Sequence, residues 1–128
     1  MSASAFQQLR FYVPCVWRWA VLRRPDPIIY GLAITDRCNL SCEGCRVSHT
    51  GRPDMGWQQI TGALRKAFAR GCRDLYLSGG EPTLWHDGTR SMEDIIVEAR
   101  RLGFFHVHVY TNGLLGLETS ADMVWVSM

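Results

Sequence analysis

The chain has 128 residues, with 14 Lys and Arg against 12 Asp and Glu and a net charge of +2. That length fits one domain and is too short for two, and an apolar share of 47% excludes global disorder. So small a net charge argues for neither a nucleic-acid partner nor an acidic membrane surface.

Residues 1–27 read as an N-terminal helical extension, ahead of a domain over residues 28–128. The apolar segment Phe11–Leu22 is interrupted by Arg18. It falls short of the roughly 20 apolar residues a membrane-spanning helix needs. No small-residue cleavage site follows it, which disfavours a signal peptide. Arg10, Arg18, Arg23 and Arg24 beside Trp17 and Trp19 would suit an interfacial helix and peripheral membrane contact. The plainer expectation is a helix packed against the domain. Five cysteines without a signal peptide favour a reducing compartment, hence a cytoplasmic protein, where clustered cysteines bind metal more often than they pair. Cys15 and Cys72 lie far from the cluster in sequence and read as buried small hydrophobes.

Ile28–Thr35 is an apolar run with β-branched residues, as expected of a strand covered on both faces. Trp57–Arg70 places Ile60, Leu64 and Phe68 at helical intervals and stops at Gly71. Asp74–Ser78 is a short strand ending at Gly79-Gly80-Glu81-Pro82. Ser91 caps a second helix, with Glu93 and Asp94 at its positive end, Ile95, Ile96, Ala99 and Leu102 on its apolar face, and Gly103 as its stop. His106–Thr111 is a third strand, turning at Asn112-Gly113, and Met123–Ser127 a fourth. The alternation predicts an α/β fold with a parallel sheet and right-handed crossovers. Parallel α/β proteins bind ligands at the carboxyl edge of the sheet. The turns after successive strands therefore converge, although they are far apart in sequence.

The first of those turns holds Cys38, Cys42 and Cys45 at C-x3-C-x2-C spacing. Three thiolates can hold three corners of a cubane iron–sulfur cluster and leave the fourth iron open, whereas four would close it. An open metal position is where chemistry happens.

With these cysteines, Gly79-Gly80-Glu81-Pro82 and Tyr110-Thr111-Asn112-Gly113 in this order, the chain from Ile28 onward resembles the radical S-adenosylmethionine (radical SAM) superfamily. The resemblance implies a partial (β/α)6, TIM-like barrel, of which this chain would hold the N-terminal part with four strands, as a fragment, a truncated reading frame or half of a split enzyme. It implies a [4Fe-4S] cluster on Cys38, Cys42 and Cys45, with S-adenosylmethionine chelated to the open iron. Reductive cleavage would then give a 5′-deoxyadenosyl radical that takes hydrogen from a substrate. It implies that Gly79, Gly80, Glu81 and Pro82 form the methionyl site, with Glu81 adding negative charge, and that Thr111 and Ser127 touch the cofactor. An electron donor such as flavodoxin or ferredoxin is implied as partner. Superfamily members usually carry an aromatic residue before the third cysteine, near the adenine; here Gly44 stands there.

Glycine pairs also make ordinary turns, where a missing Cβ permits close approach. With His49 the cysteines form C-x3-C-x2-C-x3-H, the ligand set of a small zinc module. A non-catalytic remnant that keeps the motif half of the fold is the other rival. His86-Asp87 reads as an acid/base pair or a local turn. His106 and His108 alternate with Val107 and Val109 and either line a cavity or are satisfied within the fold.

Overall fold

A computed structural model describes residues 4–127. In chain order the elements are α1 (Ala5–Leu22), β1 (Ile29–Thr35), α2 (Trp57–Ala69), β2 (Asp74–Gly79), the ribbon strands β3 (His86–Asp87) and β4 (Arg90–Ser91), α3 (Met92–Leu102), β5 (His106–Thr111) and β6 (Met123–Val126). The order β1-β2-β5-β6 makes one sheet, parallel throughout. The antiparallel β3–β4 ribbon stands apart from it.

Helices α2 and α3 cover one face of the sheet. Alternation along each strand sends Leu75 and Leu77, Val107 and Val109, and Leu32 and Ile34 toward them. There they meet Ile60, Leu64, Ile95, Ile96 and Ala99, all buried. The Trp85 ring closes one end of this core and donates its Nε1–H to the Met55 carbonyl at 2.8 Å. Cys15 and Cys72 are buried, and burial pushes the Cys72 thiol above its usual range. Both helix starts are closed from their own first turn, with Gln59 accepting the Gly56 N–H at 2.8 Å in α2. Asp94 accepts the Ser91 N–H at 2.7 Å, within its own first turn. Helix α2 in addition borrows Asp87, which accepts the Trp57 N–H at 2.6 Å from the β3–β4 ribbon.

The other face of the sheet corrects one expectation. Strand β1 is not covered on both sides: Ile29 is 54% exposed and Gly31 is exposed as well. That face carries Tyr76, His108, Tyr110 and Trp125 as a connected group of rings. His108 stacks on Tyr76 with centroids 4.3 Å apart, Trp125 stacks on Tyr110 at 5.8 Å, and the Trp125 Nε1–H donates to His108 Nδ1 at 3.4 Å. His106 sits at the amino end of the same face, where Asp74 holds its Nδ1 at 2.8 Å.

Helix α1 starts at Ser4, whose hydroxyl accepts the Gln7 N–H. It crosses the amino ends of the strands. Tyr12 donates to the Asp74 carboxylate at 3.0 Å, and Phe11 meets Phe105 edge-on at 5.5 Å.

At the opposite, carboxyl edge β1 and β2 approach so closely that no side chain fits between them. A Cβ on Gly79, whose φ is +140°, would lie 2.2 Å from the Thr35 carbonyl oxygen; one on Gly80 would lie 2.2 Å from that of Arg37. Substituting Gly79→Ala should therefore destabilise the metal-free protein by about 2–4 kcal/mol, through overpacking and left-handed strain. Urea unfolding of protein purified without iron measures this.

Candidate functional site

The carboxyl edge gathers the turns after all four strands. A cleft of about 670 Å³ there is lined by Cys38, Cys42, Cys45, Ser78, Gly79, Gly80, Tyr110, Thr111, Asn112 and Ser127, among others. The side chains of Glu81 and Pro82 do not line it.

Glu81 is fully buried and faces inward. Its carboxylate accepts the Thr83 hydroxyl at 2.7 Å, the Thr111 hydroxyl at 2.8 Å and the Asn112 N–H at 2.8 Å. Such a set is what allows a buried carboxylate. Its own N–H donates to the Arg37 carbonyl at 2.7 Å, and the Gly80 N–H to that of Thr35 at 2.9 Å. The glycine–glutamate turn thus clamps the base of the cysteine loop on one side and the turn after β5 on the other. That second turn continues the linkage, because the Ser127 N–H donates to the Thr111 carbonyl at 3.0 Å.

The cysteine loop is closed at its foot by Asp36. This buried carboxylate accepts the Thr50 hydroxyl at 2.7 Å and the Arg52 N–H at 2.9 Å, and the Thr50 bond first of all holds its pKa below the usual carboxylate range. Arg37 fastens the outer side, pairing with Asp54 at 2.7 Å and donating to the Leu84 carbonyl at 3.0 Å. Within the loop, Gly44 adopts φ +75°, a conformation glycine reaches without steric cost. Asn112 reaches across from β5, its amide 2.7 Å from Asn39 Oδ1 and 3.9 Å from Cys38 Sγ.

The sulfur environment fits thiolates. The Leu40 N–H and the Asn112 amide both approach Cys38 Sγ, at 3.5 and 3.9 Å. Cys45 Sγ lies 3.2 Å from the Ser48 hydroxyl, which with the nearby backbone N–H groups lowers the Cys45 pKa. His49 is turned otherwise, with its Nε2 on the Leu40 carbonyl at 2.9 Å. Among the described residues no three His, Cys, Asp or Glu side chains surround a single ion position. A four-iron cluster is a larger body than one ion, and its ligands stand correspondingly farther apart.

The remaining histidines separate by position. His86 is exposed beside Arg37, outside the cleft lining, while its neighbour Asp87 caps α2. His106 belongs to the amino end of the sheet and its contacts with Asp74 and Gln8. His108 lies on the open face below the cleft, and burial lowers its pKa. Sequence reasoning missed Asp36, Arg37 and Asn112 as organisers of the loop. Their only local signal was polarity directly beside the motif residues.

Comparison with known proteins agrees with this arrangement. The profile of the radical SAM superfamily matches residues 32–124. The sporulation killing factor maturation protein SkfB of Bacillus subtilis is 35% identical over 91 residues, which are 69% of this chain and 21% of that protein. A probable GTP 3′,8-cyclase of Methanothermobacter marburgensis is 33% identical over 86 residues, 66% of this chain and 27% of that protein. PqqA peptide cyclase of Xanthomonas oryzae is 30% identical over 106 residues, 78% of this chain and 26% of that protein. Among solved structures, Streptococcus suis SuiB bound to the precursor peptide SuiA superposes with a TM-score of 0.62 at 17% identity, over 95% of this chain and 28% of SuiB. The chain thus spans about a quarter of the length of these proteins, and its four parallel strands are the N-terminal part of a TIM-like barrel. By its profile match and its relatives, the chain belongs to the radical SAM superfamily.

Proposed function

We propose that Cys38, Cys42 and Cys45 hold a [4Fe-4S] cluster and that S-adenosylmethionine occupies the adjoining cleft. The observation that carries this reading is the cleft itself, which joins the three cysteines to Gly79, Gly80, Thr111 and Ser127 from four separate strand ends. When bound, the cluster and S-adenosylmethionine supply a 5′-deoxyadenosyl radical that takes a hydrogen atom from substrate. The protein's part is to present the thiolates, shape the cleft and hold both in register. Gly79 and Gly80 contribute backbone to the cleft wall, while Ser127 closes its far side. Glu81 and Pro82 act from behind that wall as positioning residues, and the Thr111 hydroxyl is engaged with Glu81 in the same task.

In this reading residues 28–128 are the N-terminal part of the core domain and residues 1–27 an extension. A small reductase such as flavodoxin or ferredoxin supplies the electron, in the cytoplasm, where thiols stay reduced. A peptide is the substrate class this reading takes, supported by PqqA peptide cyclase, which matches 78% of this chain against 66% for the GTP cyclase. The open aromatic face below the cleft, Tyr76 to Trp125, is suited to side chains of such a substrate.

After anaerobic reconstitution the protein should contain iron and sulfide, and with dithionite it should release 5′-deoxyadenosine from S-adenosylmethionine. Cys42→Ala should lose both cluster and cleavage. Full cleavage by that variant, or stoichiometric zinc without sulfide in the parent, would refute the assignment. A protein that binds the cluster but never cleaves would be a non-catalytic remnant.

Glu81→Ala separates a positioning role from direct cofactor contact. It leaves the Thr111 hydroxyl and Asn112 N–H without their acceptor, so the metal-free variant should lose about 3 kcal/mol in urea unfolding. Unchanged stability of the metal-free protein, with cofactor affinity alone reduced, would place Glu81 at the ligand instead.

A further inference from the structure

Helix α1 has two dissimilar sides. Phe11, Tyr12 and Cys15 pack against the amino ends of the strands. On the opposite side Phe6, Leu9, Val13, Val16 and Trp17 follow one another at spacings of three, four, three and one, a continuous stripe on a helix of 3.6 residues per turn. All five are more than half exposed: 69%, 62%, 55%, 60% and 57%. Burial within the fold thus accounts for only one side of this helix.

The charges around the stripe are of one sign. From Ser4 to Pro25 there is no Asp or Glu, while Arg10, Arg18, Arg23 and Arg24 are all present. Arg18 is matched by Asp26 at 2.9 Å, which leaves Arg10 along the stripe and Arg23 and Arg24 at its C-terminal end. Trp17 itself places an indole within the stripe. Indoles with an apolar body and a polar N–H settle where hydrocarbon meets water. No described helix is long and apolar enough to cross a membrane, so the helix would lie along a surface. Place in the fold agrees: α1 lies at the amino edge of the sheet, and the cysteine cleft opens at the carboxyl edge.

We propose that the exposed side of α1 docks on an anionic lipid surface. Phe6, Leu9, Val13, Val16 and Trp17 enter the boundary between headgroups and acyl chains, and Arg10, Arg23 and Arg24 meet lipid phosphates. The cysteine cleft then faces away from the membrane and stays open to reductase and substrate. The net charge of +2 concealed this, because the acidic residues that offset the arginines all lie outside the helix.

The test is flotation of the 128-residue chain with vesicles of phosphatidylcholine alone and of phosphatidylcholine mixed with phosphatidylglycerol. Binding should require phosphatidylglycerol and weaken as salt rises. Val13→Glu and, separately, Trp17→Glu should each reduce the bound fraction at least about tenfold, by placing a charge in the stripe. Both sites are exposed, so circular dichroism and the thermal midpoint should match the parent. The pair Arg23→Glu and Arg24→Glu should reduce binding while leaving the stripe intact. Cys42→Ala should float like the parent, which separates this inference from the proposed radical chemistry. Three outcomes would overturn it: no flotation, equal flotation with neutral vesicles, or a dimer by sedimentation that Val13→Glu dissociates while flotation is absent.

Discussion

The site depends on one buried carboxyl group. Glu81 has no solvent exposure, and a polar group in such a place is costly unless its oxygens are met by donors. The donors come from its own turn, through Thr83, and from the turn after β5, through Thr111 and Asn112. Its backbone holds the cysteine loop through Arg37. Three chain segments that are distant in sequence are thereby fixed relative to one another by one residue, through its side chain and its backbone N–H. Removing it would leave several donors unmatched at once, so the arrangement is cooperative.

The glycines before Glu81 belong to the same construction. Their missing Cβ atoms admit the backbone of Thr35 and Arg37, which carries the chain into the cysteine loop. The close approach that glycine permits is thus used first between two pieces of the protein, and the cleft wall is the outcome. The motif combines two tasks, clamping the loop and shaping the pocket, and the first is a condition of the second.

Much of the fold was legible because local periodicity suffices for elements that bury one face. Ile60 and Leu64 in α2, Ile95, Ile96 and Ala99 in α3, and the alternating Leu75 and Leu77 all sit where their spacing assigns them. Convergence of the cysteines with Gly79 and Gly80 follows from parallel topology alone. What escaped were relations that sequence distance hides. Asp87 caps a helix that begins 30 residues earlier, a contact that only the folded chain creates. An apolar run such as Ile28–Thr35 reads alike whether one layer or two cover it, so the bare face of β1 could not be foreseen. Direction was equally hidden: the resemblance implies that Glu81 adds negative charge to the methionyl site, and only the folded chain shows its carboxylate turned onto Thr111 and Asn112.

If the cysteines hold the proposed cluster, Asp36 bears on how its metal would be acquired. Three thiols on a free chain must be gathered for each encounter with iron, and the lost conformational freedom weakens binding accordingly. By fastening Thr50 and Arg52, Asp36 closes the strip that bears all three cysteines into a ring. The ring meets part of that cost during folding. For the cluster proposed above, the loop that bears the three sulfurs would thus be partly ordered before any metal binds.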